Sequence, residues 1–208
     1  MWIERYQPRW HTQLIELGNQ VFGEGYFSEP WARLQQRDSI MFVAIEDDEI
    51  LGFAHGEILP REGLDAYLGS VVDEIPSDIA EADADGNLGS IDTVAVSSDH
   101  RRKGVGFSLL QATHDALVGA GADKLLVTFK RGPGSTAVEG LMKSLGFDLW
   151  QKLPSYWRDA CNRGDFKCVD RTDTCVCEAM MFRKSVYCSP VPLPTSPCQF
   201  AVVCLSAR

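Results

Sequence analysis

The stretch Val94-Ala95-Val96-Ser97-Ser98-Asp99-His100-Arg101-Arg102-Lys103-Gly104-Val105-Gly106-Phe107 carries more structural information than any other part of the chain. Its opening apolar, β-branched residues predict the end of a buried strand. A polar turn follows, then three basic residues and a Gly-x-Gly pair at the head of an amphipathic segment. That order predicts strand, turn and helix. A helix N-terminus presents unbonded amides and the positive end of its dipole. Glycines let a bulky anion approach the backbone, and basic side chains add charge. The unit is a candidate seat for a pyrophosphate. The competing reading is an ordinary strand-turn-helix connection with a solvated basic surface.

Around this unit the pattern continues. Residues 41–46 and 51–59 read as antiparallel strands joined by the turn Asp47-Asp48-Glu49. Residues 107–119 read as a helix, with Leu109, Leu110, Ala112, Thr113, Ala116 and Leu117 on one side and Gly119-Ala-Gly121 at its end. Leu125–Phe129 predicts a further buried strand, residues 135–144 a helix, and Leu145-Gly146-Phe147 a turn into another strand. Before the first core strand, residues 11–21 and 28–37 suit helices, the second with Ser28 as cap and Pro30 in its first turn.

Arg101-x-x-Gly104-x-Gly106 after a strand resembles the Arg/Gln-x-x-Gly-x-Gly/Ala signature of the GNAT superfamily of N-acetyltransferases. The resemblance runs over residues 1–158 and resumes at 178–187, with the other elements in register. It implies an α/β (α+β) fold: one domain over 1–187, with a mixed central sheet, splayed parallel strands and flanking helices. An acidic insertion at 60–88 and a Cys-rich hairpin insertion at 159–177 would interrupt it, and a Pro-rich, apolar tail at 188–208 would follow. The implied activity is transfer of an acetyl group from acetyl-CoA to a primary amine of a small molecule or protein. Residues 90–96 and 124–129 would be the splayed strands. Backbone groups of Val94, Ala95 and Val96 would hold the pantetheine. Amides from Arg102 through Lys103, Gly104, Val105, Gly106 and Phe107 would hold the pyrophosphate, with the side chains of Arg101, Arg102 and Lys103 adding charge. Ser135 stands at the helix start where many relatives carry Asn, and the resemblance implies that it too contacts the cofactor. Phe22, Tyr26, Phe27 and Trp31 would line the acceptor side, against a competing reading of plain helix packing.

Acetyl transfer needs an amine relieved of a proton. Strict alternation along a strand puts Ser90, Asp92, Val94 and Val96 on one face, the face on which members with a strand-borne base carry it. Asp92 is the first candidate base and Glu57, on the preceding strand, the second. Asp92 has a competing reading as a residue that merely bonds neighbouring backbone. The family's usual acid, a Tyr four residues before the Gly of the Leu-Gly-Phe turn, is replaced by Met142, which has no proton to give. Tyr67, Tyr156 and solvent are the remaining donors.

Length, 208 residues with 45% hydrophobic content, suffices for one sizeable core. No apolar run approaches the length of a membrane span, and the first residues lack the apolar core of a signal peptide, so a soluble cytoplasmic protein is expected. A net charge of −9 argues against nucleic acid or an anionic membrane as partner. Residues 60–88 hold eight acids against Arg61, a balance of −7. That segment reads either as a solvated surface or as a lid attracting a cationic amine, with a helix expected over 71–82. Cys161, Cys168, Cys175 and Cys177 lie within 17 residues. Three readings stand: a structural Cys₄ zinc site, reduced thiols, or disulfides, the last disfavoured in a cytoplasmic chain. The tail could add an edge strand or contact a second copy, so a homodimer is open. Beside acetyl transfer stand two other readings: a non-catalytic acyl-CoA-binding regulatory module, and a zinc-stabilised protein-interaction domain.

Overall fold

Among the described residues, seven strands form one mixed sheet in the order β1-β2-β3-β4-β5-β7-β6. They are β1 (Trp2–Arg5), β2 (Ser39–Glu46), β3 (Glu49–Ile58), β4 (Leu88–Val96), β5 (Lys124–Arg131), β6 (Asp148–Leu153) and β7 (Glu178–Ser185). The six helices among the described residues are α1 (His11–Phe22), α2 (Leu64–Leu68), α3 (Ser77–Asp85), α4 (Val105–Gly119), α5 (Ala137–Ser144) and α6 (Arg158–Arg163). This computed structural model describes residues 1–24, 39–68, 72, 74–131, 137–164 and 175–186. The expected helix over 28–37, Tyr26, Phe27, Trp31, Ser135, Cys168 and the tail 188–208 lie outside them.

The β2–β3 hairpin closes through Asp47 and Asp48, both at positive φ (50° and 63°). Two such residues match the twist of adjoining strands, and aspartate tolerates that region better than most side chains. Among the described strands only β4 and β5 pair in parallel, and the pairing runs from Leu88↔Lys124 to Ile91↔Val127 and stops. Both strands continue beyond that point, to Val96 and Arg131. The expected splay is therefore present.

One sheet face is covered by α4, whose Leu110, Leu117 and Val118 meet Ile91, Leu125, Val127, Met180 and Phe182 in the largest core. Gly56 permits this approach, since a Cβ there would lie 2.6 Å from the Ser90 carbonyl oxygen and 3.0 Å from Thr113. On the other face α1 packs Leu14 and Leu17 against Val43, Phe53 and Ala95. Beside it the acidic segment packs Leu64, Leu68 and Ile79 against Leu88, Leu126 and Met181. The segment is thus a built layer. Its helix begins at Ser77, not at residue 71. Pro76 stands at the N-cap position with φ −58°, and a proline biases the residue before it away from helical backbone. Among the described residues no helix is long and apolar enough to cross a membrane.

Candidate active site

Beyond Val96 the chain makes one 3₁₀ turn, Ser98–His100, steadied by a 2.8 Å hydrogen bond between Ser97 Oγ and His100 Nδ1. Arg101 Nε donates to the Val96 carbonyl at 3.2 Å, which folds the basic triplet back over the strand end. Arg102 and Gly104 then adopt left-handed backbone, with φ of 60° and 85°, and Gly104 caps α4. The Ser108 amide bonds the Gly104 carbonyl at 3.0 Å. The amides of Val105, Gly106 and Phe107 therefore precede the helical ladder. A Cβ on Gly104 would meet nothing within 4 Å, and one on Gly106 only the Val96 side chain at 3.6 Å. Arg101, Arg102, Lys103 and Phe107 are exposed around this opening. Free amides, a helix dipole, open space and three cations form an anion seat.

The strand leading to that seat has an open edge. Val94, Ala95 and Val96 pair on one side with Ala54, Phe53 and Gly52 of β3, and on the other side the β5 ladder has already ended. An extended ligand bearing amides can bond such an edge as an added strand would.

Asp92 occupies a break in the register. Thr93 pairs with His55 and Ile91 with Gly56, so Asp92 is the extra residue of a β-bulge. The bulge changes the alternation expected from sequence. Ile91 and Val94 both pack on the α4 side, whereas Ala95 packs on the α1 side. Asp92 therefore does not share a face with Val94 and Val96, as strict alternation required. Its carboxylate meets His55, which like Phe53 lies on the face opposite α4. His55 Nδ1 and Asp92 Oδ1 are 2.8 Å apart, and His55 Nε2 lies 2.8 Å from Ser39 Oγ.

Further polar groups gather at the fork on this same face. Glu57, two residues after His55, is buried, and Ser90, its partner across the strands, is fully buried. The Ser90 hydroxyl finds no hydrogen-bond partner among the described residues. Tyr67, from α2, donates to Thr128 Oγ1 at 3.3 Å. Burial, then the nearby Asp92 carboxylate and, more weakly, Tyr156 and Glu57, push the Tyr67 hydroxyl well above the ordinary tyrosine range. Tyr156 donates to the Leu68 carbonyl at 3.5 Å and braces the end of α2. Met142 is fully buried in the core, so its helix offers no donor at that position. The two carboxylates anticipated from sequence thus come together. His55, Ser39 and Thr128 were not anticipated. Their only sequence signal was two-residue spacing, His55 to Glu57, on one strand.

Cys161, Cys175 and Cys177 pack beside Trp157 in a small buried cluster. Among the described residues no group of three or more His, Cys, Asp or Glu side chains could hold a metal ion. The zinc reading gains no support from these three positions, and Cys168 lies outside the described residues.

A phosphate seat at the end of an open strand edge suits a phosphorylated carrier with a long amide-bearing arm, and carboxylates beside that edge suit an amine. This is the layout of an acyl-CoA-dependent N-acyltransferase. The chain belongs to the acetyltransferase (GNAT) family, whose profile matches residues 6–147, and acetyl-CoA is the acyl donor of that family. No curated protein matches the chain. Solved structures share its fold. The ribosomal-protein-S18-alanine N-acetyltransferase of Escherichia coli aligns with TM-score 0.62 at 16% identity, over 93% of this chain and 98% of that one. Arabidopsis thaliana NAA60, in complex with acetyl-CoA, aligns with TM-score 0.63 at 15% identity, over 88% and 97%. The aminoglycoside 6'-N-acetyltransferase of Enterococcus faecium aligns with TM-score 0.56 at 12% identity, over 93% and 99%.

Proposed function

We propose that this protein transfers the acetyl group of acetyl-CoA to a primary amine that arrives as a cation beside Asp92 and Glu57. The observation that carries this reading is the position of Asp92, bulged out at the point where the β4 edge becomes open. The pantetheine would bond the backbone of Val94, Ala95 and Val96, and the pyrophosphate would rest on the amides of Arg102 to Phe107. The relatives' names mention a ribosomal-protein alanine and an aminoglycoside, so the shared fold leaves small-molecule and protein amines equally open.

In this reading Asp92 takes one proton from the ammonium group, breaking an N–H bond and forming O–H. The freed nitrogen lone pair forms the C–N bond to the thioester carbonyl carbon. The C–S bond then breaks and its electron pair leaves with sulfur. The second amine proton goes to the thiolate, giving free CoA, and Asp92 returns its proton to solvent. A backbone N–H of the open β4 edge would polarise the thioester oxygen. Glu57 adds negative charge that favours a cationic acceptor. Tyr67, whose hydroxyl donates to Thr128 Oγ1 in the free protein, would turn that hydrogen toward the leaving sulfur. Its raised pKa, set against an ordinary thiol near 8.5, makes full proton transfer uphill.

Release of free thiol from acetyl-CoA, measured against a panel of small amines and peptide N-termini, tests the reading. Release that depends on one amine class supports it. Tight acetyl-CoA binding with no release on any amine would favour the non-catalytic binding module.

A further inference from the structure

Resting on the acetyl-transfer reading, we propose that His55 is a positioning residue for Asp92, and that Ser39, His55 and Asp92 act as one hydrogen-bonded unit. A bulged residue lacks the cross-strand neighbour that would fix its side chain. Asp92 is such a residue, and its side chain remains partly exposed at the fork. Something else must decide where its two oxygens point. The contact that does so is His55 Nδ1 at 2.8 Å from Oδ1.

The chain of three fixes its own protonation pattern. A carboxylate only accepts, so His55 Nδ1 carries the hydrogen toward Asp92. In a neutral ring Nε2 is then the acceptor, and the Ser39 hydroxyl donates to it at 2.8 Å. The Asp92 carboxylate thereby selects the tautomer, and the Ser39 hydroxyl, which can donate or accept, holds the far side of the ring. His55 is buried, with 5% of its surface exposed, so the ring cannot swing away without leaving a polar gap. With Oδ1 committed to His55, Oδ2 is the oxygen left for the acceptor ammonium. The unit spans three adjacent strands, β2, β3 and β4, so the backbone ladder sets its geometry. Ser39 is not placed as a nucleophile, because the open edge where the thioester would lie belongs to β4, two strands away.

The test compares two amide replacements in the full chain. In His55→Asn the side-chain amide can take the place of Nδ1 and still donate to Asp92. In His55→Gln it reaches toward the Nε2 position and Ser39 instead. Thiol release is measured at saturating acetyl-CoA with the best amine of the panel. We expect His55→Gln to lower kcat by about a hundredfold, the scale of a small misplacement of a reacting group. KM for acetyl-CoA should stay within about twofold, since the cofactor site is not touched. His55→Asn should recover at least about tenfold of the loss. In an Asp92→Asn background, His55→Gln should cost almost nothing more, because residues acting as a unit are not additive.

Equal kcat in His55→Gln and wild type would overturn the proposal. Equal impairment of the Asn and Gln variants, with unchanged melting, would also overturn it, as would full additivity with Asp92→Asn. These results leave acetyl transfer itself intact. A wild-type protein silent on every amine would sink the acetyl-transfer reading, and the positioning role with it.

Discussion

At the scale of single residues, the site combines a glycine at positive φ with the carboxylate that we propose as the base. Gly104 sits at φ 85° with open space where a Cβ would point. A side chain in left-handed backbone costs about 1–2 kcal/mol. Gly104→Asp adds a negative charge to a seat built for an anion, so acetyl-CoA affinity should fall by more than about tenfold, the equivalent of 1.4 kcal/mol. Gly104→Ala, which brings the strain without the charge, should lose less. Calorimetric titration of both variants checks the order, and equal affinity in Gly104→Asp and wild type would remove the turn from cofactor binding. Asp92→Asn should lower kcat at neutral pH by about a hundredfold or more, the scale of general-base removal, with little change in KM for acetyl-CoA. Raising the pH should restore much of the rate, because the free amine then forms unaided; wild-type turnover from pH 6 to 9 would exclude Asp92 as the base. The Gly turn was legible in sequence because its parts are adjacent in the chain. Asp92 was legible as a residue but not in its orientation. A bulge depends on how two strands register, and nothing within residues 88–96 announces it.

At the scale of elements, the acidic segment illustrates how a charge count differs from a charge's use. Asp83 accepts hydrogen bonds from the amides of Gly63 and Leu64, both at 3.1 Å, and so ties the start of α2 to the end of α3. Asp78 bridges Lys124 and Arg183 at 3.1 Å each. Burial works against its ionised form, yet the two cations outweigh it and hold its pKa below the usual carboxylate value. Of the eight acids, Asp83 therefore holds the layer together and Asp78 fastens it to the sheet, rather than attracting a ligand. Asp83→Ala should lower unfolding free energy by about 1 kcal/mol, as loss of a helix cap does. It should also raise KM for the acceptor amine, because α2 carries Tyr67 over the fork. A normal acceptor KM in a destabilised Asp83→Ala protein would separate α2 from substrate binding. The existence of a helix near residue 77 was readable from apolar spacing. Its start was not, because Val72 and Ile75 mimic the helical period while Pro76 resets it.

At the scale of the whole molecule, one staple joins three parts that sequence shows only as separate elements. Lys184 of β7 donates to the Leu145 carbonyl at 2.9 Å and lies 2.9 Å from His114 Nε2 of α4. Its ammonium also lies 5.5 Å from the centre of the Phe147 ring. His114 Nδ1 contacts Asp115 Oδ1 at 2.8 Å. Nε2 must accept from Lys184, so the ring is neutral and its hydrogen lies on Nδ1. Burial, opposed by Asp115 and reinforced by Lys184, holds the His114 pKa below the ordinary histidine value of 6.5. Burial likewise lowers the Lys184 pKa. The direction of the pH effect follows by linkage. Just below pH 6.5 the unfolded chain binds a proton at His114 that the folded chain refuses, so unfolding free energy falls as pH drops from 6.5 toward the folded pKa. Below that pKa both states are protonated and this contribution levels off. Protonation would set an N–H against an ammonium and release β7 from α4. In His114→Gln the amide oxygen can still accept from Lys184 but does not titrate. Denaturant unfolding between pH 7 and 5 should therefore show a loss in wild type that His114→Gln lacks, before the paired carboxylates protonate at lower pH. Parallel curves for the two proteins across that range would show that the staple does not sense protons.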